Sequence, residues 1–544
     1  MPTDFAAHLR TVLTRHGEDR ACTFVKDDLA GERVSYRQLD REARRVAAWL
    51  DGRTTKPVVL LFPDARHFLP AFLGCLYAGV TAVPAPVAVD KHSSDRVAGI
   101  VADAGAELVL TKDTVLTAVG ADPDAWSPKD IDPATVAMLQ YTSGSTSSPR
   151  GVMVTHENLL ANQAVLQRVV GTDESAVTVA WLPHFHDMGL IGTLLHTIYV
   201  GGDGYIMTPT TFLKRPVRWL EAITKWRATM TAAPDFAYDL CAKVITDAQL
   251  ARLDLTSLRV AVTGAEPVRA TTVEHFSRKF APAGFRPEMF LPAYGLAEAT
   301  LMVSAGYLST VYSADAAALE RNIVRPGSGA ELVRCGVPAE HVVIVDQDKH
   351  TVLEAGQVGE IWLSGPSVAA GYFNRPDRTS VVFRAYTRCG QGPYLRTGDL
   401  GAVVGGELVV TGRLKDVLIV HGRNLYTQDV EHAVRGIHPA LGAGSGVVFA
   451  VPGACREHVV VVHEVRRTML AGLSLDELAA RIKVTIARSF DMPAPSVVLT
   501  NRGSIRRTTS GKVRRPLMRT LFLANEIEPL HEDLQPALRD LRSR

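Results

Sequence analysis

No uninterrupted apolar run in this chain approaches the ~20 residues that a membrane-spanning helix needs, so no membrane span is expected. Charge of neither sign dominates. Lys and Arg number 59 against 57 Asp and Glu, a net charge of +2, which gives no whole-protein case for nucleic-acid or membrane partners. Cysteine is sparse, with six residues (Cys22, Cys75, Cys241, Cys335, Cys389, Cys455) and neither a CxxC pair nor metal-ligand spacing. Reduced thiols of a cytoplasmic protein are the expectation. The opening Met1-Pro-Thr-Asp-Phe5 lacks the basic-then-apolar pattern of a signal peptide, and no fixed-period repeat is visible. What remains is ordinary for a globular chain: 544 residues, 47% hydrophobic and 21% charged, enough for roughly two to four folding units.

Strands and helices alternate through the first part. Ser35-Tyr-Arg-Gln38 reads as a capping box, after which Leu39, Ala43, Val46, Ala47 and Leu50 share one helical face. Strands are predicted over 57–62, 107–111, 136–141, 177–181, 229–233 and 258–263, with helices over 68–78, 96–104, 188–199, 216–226 and 237–244. This alternation predicts an α/β fold with parallel sheets. From Val342 short strands with Gly turns suggest a small β-rich subdomain. A smaller α+β unit follows, so the division is 1–412 and 413–544.

One stretch organises the rest. Val136–Tyr141 suits a buried strand, and seven Ser, Thr or Gly residues then run from Thr142 to Ser148, closed by Pro149-Arg150-Gly151. Val152–Val154 resumes a strand, with Thr155 as N-cap of the next helix. A short hydroxyl-rich loop between two strands can wrap phosphates with N–H and O–H donors, and Arg150 adds positive charge. An ordinary Ser/Gly linker is the plain alternative. A Walker A loop is not, since no Gly-Lys-Ser/Thr follows at the required spacing.

Four other segments carry chemistry. Trp181-Leu-Pro-His-Phe-His-Asp-Met-Gly189 gathers two His and an Asp at a strand end, where open α/β sheets place their sites. His184 reads as a packed histidine or, with His186 and Asp187, a metal ligand; His186 is placed near a substrate carboxylate. Glu298, alone among small and apolar neighbours, suits either a Mg²⁺ ion or a helix cap or Arg partner. Asp399, in a Gly turn, can accept two bonds from a ribose diol or satisfy its own turn, and Arg413 follows one hairpin later. Lys512, after Thr-Thr-Ser-Gly, can swing a point charge into a site; its basic surroundings (502–519) also read as a solvated tail or weak nucleic-acid patch.

The order of these motifs resembles the adenylate-forming (acyl-activating) superfamily along almost the whole chain. YTSGSTSSPRG (141–151), WLPHFHDMG (181–189), TGAEP (263–267), YGLAEAT (294–300), YLRTGDL (394–400), GRLKD (412–416) and TSGK (509–512) occur in its sequence. HDMGLIG (186–192), FLKRPVRWL (212–220), APDFAYDL (233–240), GEIWLSGPSVAAGY (359–372) and GRLKDVLIVHGRNLYTQDVE (412–431) resemble its fatty acyl-AMP ligase branch.

The resemblance implies a large multi-layered adenylation domain, with parallel sheets, helices and the β-rich subdomain, and a mobile C-terminal domain carrying a catalytic lysine. It implies an enzyme that uses ATP and Mg²⁺ to make acyl-AMP from a carboxylic acid. Thr142, Ser143, Gly144, Ser145, Thr146 and Arg150 would wrap the phosphates. Gly264, Ala265 and Glu266, with Tyr294, Gly295 and Leu296, would bind the nucleotide, mainly along the adenine. Asp399 would hold the ribose, Arg413 the ribose-phosphate side, and Glu298 the metal. Lys512 would bridge carboxylate and α-phosphate, with His186 near the carboxylate. Met188, Ile191, Phe236 and Tyr238, beside Tyr294, would shape the acyl pocket, and Lys415 would be the hinge. Arg150 and Arg507 stand where lysine is common in the family. Surplus sequence at Tyr307–Cys335 resembles the insertion that disfavours coenzyme A in acyl-AMP ligases. The expected acceptor is then an acyl carrier protein, with an acyl-CoA ligase as the alternative and a non-catalytic acyl or nucleotide sensor behind both. A monomer or dimer is expected.

Overall fold

The computed structural model describes residues 4–88, 90–118, 120–142, 149–307, 311–420, 423–442, 444–453, 457–508 and 512–542. Two largely parallel sheets form its front part. The first has five strands in the order Leu108–Leu110, Val58–Leu61, Ala82–Ala85, Val136–Thr142, Arg150–Thr155, parallel except for the last pair. The second has eight, in the order Met302–Ala305, Phe290–Gly295, Val260–Gly264, Met230–Pro234, Val177–Ala180, Asp203–Ile206, Ala21–Val25, Gly31–Ser35. Its six inner strands are parallel and both edge pairs antiparallel. Strands buried on both faces are continuously apolar, as Val58–Leu61 is.

Helix Tyr36–Leu50 buries the predicted face, Leu39, Ala43, Val46, Ala47 and Leu50. Ser35 caps it through the Gln38 N–H at 3.2 Å. The capping box is not reciprocal, however, because the Gln38 amide donates to Glu42 instead. Thr155 and Asn158 do form a reciprocal box at the start of helix His156–Val170. The apolar run after His186 is not one α-helix. It is Asp187–Gly189, a π turn at Leu190–Leu195, then His196–Val200.

The β-rich subdomain is an antiparallel four-stranded sheet, His341–Val345, Gly359–Ser364, Leu395–Val404 and Glu407–Arg413. The surplus segment forms its own hairpin, Tyr312–Asp315 with Gly329–Leu332. The C-terminal part has hairpin Val417–Val420/Arg423–Tyr426 and a mixed sheet of Gly446–Pro452, Glu457–Glu464, Ser496–Thr500 and Pro529–Asp533. Helices Thr427–Gly436 and Leu475–Ser489 share an apolar cluster with that sheet.

The basic stretch is not wholly a solvated tail, because it ends in helix Arg515–Leu523. Arg515 there pairs with Asp416 at 2.8 Å and Glu431 at 2.7 Å. No helix among the described residues is long and apolar enough to cross a membrane.

Candidate active site

The hydroxyl-rich loop joins two antiparallel strands whose last pair is Thr142 and Arg150. Ser143, Gly144, Ser145 and Thr146 lie outside the described residues. The far side of strand Arg150–Thr155 is gripped by the segment ending at Tyr372: Met153 N–H donates to Gly371 O at 2.9 Å and Phe373 N–H to Gly151 O at 2.8 Å. This brings Tyr372 between Arg150 and Glu298. Its hydroxyl donates to Glu298 Oε1 at 2.7 Å, and the Arg150 guanidinium lies 5.8 Å from its ring centroid. Burial and the Glu298 charge push the phenol up.

Glu298 Oε2 has no hydrogen-bond partner among the described residues. The backbone around it is tightly constrained. A Cβ at Gly295 would stand 1.8 Å from Leu301 O, and Thr300 is held at φ +66°, a conformation a β-branched residue adopts only under constraint.

Asp399 and Arg413 face each other across the hairpin. Asp399 is buried; its Oδ1 accepts from Arg413 Nε at 2.7 Å and its Oδ2 from the Tyr294 hydroxyl at 2.9 Å. The Asp399 charge pushes Arg413 up, and burial with that same charge pushes Tyr294 up. Leu296 follows Tyr294 on the same turn, its N–H on Leu301 O at 2.9 Å.

The 264–266 loop ends the neighbouring strand with Ala265 at φ +63°, and reciprocal caps brace it. Glu266 Oε1 accepts from Phe236 N–H at 2.6 Å, at the start of helix Asp235–Val244. Asp235 accepts from Arg269 N–H at 3.0 Å and the Thr272 hydroxyl at 2.9 Å, at the start of helix Ala270–Phe280.

Gln140, on strand Val136–Thr142, donates to Phe185 O at 3.0 Å and so ties that strand to the histidine turn. His184 is a packed side chain, buried against Phe68, with Nε2 3.1 Å from Phe62 O and its pKa pushed down to about 4 by burial. His186 is partly exposed, with Nδ1 2.8 Å from Asp187 Oδ1. Burial pushes the Asp187 carboxyl up, but His186 and Lys512 outweigh it and hold the group below the ordinary range.

Lys512 is exposed, within electrostatic reach of Asp187, Asp399, Glu266 and Arg413. The surrounding protein and the Arg413 charge push its ammonium down, while Asp187, Asp399 and Glu266 pull it back up. Lys415, in the 3₁₀ turn Leu414–Asp416, is exposed.

Of the predicted acyl-facing residues, Met188 and Ile191 are buried beyond Asp187. Phe236 is 37% exposed and edge-on to Trp181. Tyr238 is different. It is fully buried among Trp219, Phe276 and Phe290 with its hydroxyl on Val262 O at 3.0 Å, so it is a core residue.

Sequence reading gave no role to Tyr372 or Asp235, and named Asp187 only as a metal ligand beside His184 and His186. Asp187 stood inside a quoted motif and was legible as a third polar group. Tyr372 meets its partner from 74 positions away, a pairing that one sequence does not reveal.

The model for AMP-binding enzymes matches residues 9–373. The medium-chain-fatty-acid–acyl-carrier-protein ligase JamA of Moorena producens is 40% identical over 91% of this chain and 90% of its own length. The ligase TtuA of Teredinibacter turnerae, of the same printed description, is 33% identical over 97% and 95%. Among solved structures, a fatty acyl-adenylate ligase from L. pneumophila in complex with acyl adenylate and pyrophosphate matches with a TM-score of 0.74. That match has 34% identity over 96% of each chain.

Proposed function

The chain belongs to the AMP-binding enzyme family and is similar to fatty acyl-AMP ligases over nearly all its length, and from that premise we propose that it activates a fatty acid as acyl-AMP and passes the acyl group to the phosphopantetheine thiol of an acyl carrier protein. A carboxylate oxygen attacks the α-phosphorus of ATP, the bond from phosphorus to the β-bridging oxygen breaks, and pyrophosphate leaves. The thiolate sulfur then attacks the acyl carbon, and AMP leaves with the C–O electron pair. Catalysis is alignment plus neutralisation of phosphate charge.

The observation that carries this reading is the position of Lys512. It comes from the C-terminal part yet stands within electrostatic reach of Asp187, Asp399, Glu266 and Arg413. From there its ammonium bridges carboxylate and α-phosphate, while His186, held by Asp187, orients the carboxylate. Thr142, Arg150 and the loop between them grip the departing pyrophosphate. Gly264–Glu266, Tyr294, Gly295 and Leu296 line the adenine side; Asp399 takes the ribose hydroxyls through its remaining lone pairs, and Arg413 the ribose-phosphate edge. Glu298 fits Mg²⁺: one half-buried carboxylate with an unengaged oxygen is what this ion takes beside substrate phosphates and water. The ion, when bound, neutralises phosphate charge.

The test is ATP–pyrophosphate exchange over a panel of carboxylic acids, with and without carrier protein. Lys512→Ala is expected to lower exchange by ~10²–10³ while nucleotide binding stays measurable. Near-normal exchange would remove Lys512 from the reaction.

A specific set of contacts favours the carrier protein over coenzyme A. The surplus segment ties down the hairpin after Lys415. Asn424 N–H donates to Glu320 O at 3.0 Å, Arg423 pairs with Glu320 at 3.2 Å, and Asn424 Nδ2 donates to Asn322 at 3.0 Å. Leu319 and Val324 share an apolar cluster with Tyr426. Such ties restrain the C-terminal part near its adenylating position.

A further inference from the structure

The helix that leaves the candidate site widens by one residue. Its π turn, Leu190–Leu195, begins two residues after Met188. An added residue rotates every later side chain by about 100° relative to an unbroken α-helix, and π turns recur at functional sites. This one is held from behind by a chain of polar groups inside an apolar core. Gln163 Nε2 donates to Ile191 O at 2.9 Å, Gln163 Oε1 lies 2.7 Å from His196 Nδ1, and His196 Nε2 lies 2.7 Å from the Thr172 hydroxyl. Gln163 and His196 are 0% and 1% exposed.

The direction of the chain follows from its ends. A carbonyl oxygen only accepts, so the Gln163 amide nitrogen faces Ile191 and Oε1 accepts from His196. His196 then carries its proton on Nδ1 and accepts at Nε2 from Thr172. Burial pushes His196 down to about 4, so the ring stays neutral at ordinary pH. Two hydroxyls take up further carbonyls of the widened coil: Thr193 on Gly189 O and Thr197 on Thr193 O at 2.8 Å. Thr172 follows Gly171, the C-cap of helix His156–Val170, and is partly exposed. The network therefore runs from near the surface to the backbone of the predicted acyl-facing segment.

We propose that Gln163, backed by His196 and Thr172, is a positioning residue that holds the π turn and thereby sets how Met188 and Ile191 are presented to the acyl chain, so that acyl chain length is selected from this network. The inference rests on the proposed function, with the acid's carboxylate at His186 and Lys512 and its tail along this helix. Losing the Gln163 amide removes the donor to Ile191 O and the acceptor of the His196 N–H, both in the core. The coil is relieved by closing toward an α-helix, which turns Met188 and Ile191 relative to the residues below.

The experiment measures pyrophosphate exchange with a series of saturated acids of increasing length for the parent chain, Gln163→Leu and Thr172→Val. Gln163→Leu is expected to change the long-to-short ratio of kcat/KM by about tenfold with KM for ATP within about twofold. Thr172→Val, at the outer end and less exposed to misfolding, is expected to shift the profile the same way by about threefold, as one lost hydrogen bond implies. A length profile unchanged in Thr172→Val, or a uniform fall for every acid and for ATP together, overturns the assignment. A parent chain inactive with every acid overturns the proposed function, and this inference with it.

Discussion

Two buried aspartates show how far residue type falls short of residue behaviour. Asp399 is buried with a guanidinium nitrogen 2.7 Å away and a phenol on its other oxygen. Asp235 is buried with only an N–H and a hydroxyl as donors. Burial, helped by the Glu266 charge against those two bonds, pushes its pKa up to about 7. The folded chain therefore holds this proton more tightly than the unfolded chain, where aspartate titrates near 3.9. Its contribution to stability is present at low pH and lost as pH rises through about 7. Asp235→Asn keeps an acceptor for Arg269 N–H and offers Thr272 a donor. It is expected to unfold at a higher temperature than the parent at pH 8 and at nearly the same temperature at pH 4. Thermal unfolding followed by circular dichroism at the two pH values decides this; an equal difference at both would mean that Asp235 does not titrate in this window.

At the scale of elements, stabilisation comes from crossed partners. Glu266 and Asp235 each cap the helix that begins beside the other, so the 264–266 loop and the start of the Phe236 helix are braced together. The hairpin at Tyr312–Leu332 supports Glu320 and Asn322, which hold Arg423 and Asn424. Exposed polar ties are each worth about 1 kcal/mol. Replacing both Arg423 and Asn424 by Ala is thus expected to raise coenzyme A thioester formation on the order of tenfold, with pyrophosphate exchange within about twofold. A thioester assay with free coenzyme A checks this, and no rise would mean that these contacts do not restrain the acceptor step. None of this was legible from periodicity. The helix predicted after His186 was read as apolar, and its π turn is held by Gln163, brought up from another helix.

For the molecule as a whole, we propose that Lys415 is the hinge between the front part and the C-terminal part. Strand pairing with Asp399 holds Arg413 to the large part. Asp416 is fastened to the small part through Arg515, which also binds Glu431 and Val448 O. Leu414 and Lys415 lie between these fastenings, one position beyond the predicted division. Proline at Lys415 fixes φ and restricts Leu414. Lys415→Pro is expected to keep pyrophosphate exchange within a few-fold and to lower carrier-protein acylation by about tenfold or more, if, as we propose, the C-terminal part turns about Lys415 for the second step alone. Single-turnover assays of the two half-reactions separate them; equal losses in both would place the pivot elsewhere.

The sequence by itself determined the alternation of strands and helices, the amphipathic face of Tyr36–Leu50, the Thr155 cap and the order of the chemistry-bearing motifs. All of these depend on neighbours a few positions apart, where propensity and periodicity act. Only the tertiary structure decided which of those groups meet. It brought Tyr372 to Glu298, Tyr294 to Asp399 and Lys512 to Asp187, and it put Tyr238 in the core. These pairings span tens to hundreds of positions, and their partners are chosen by packing of sheets and helices, which local preferences along one chain do not encode.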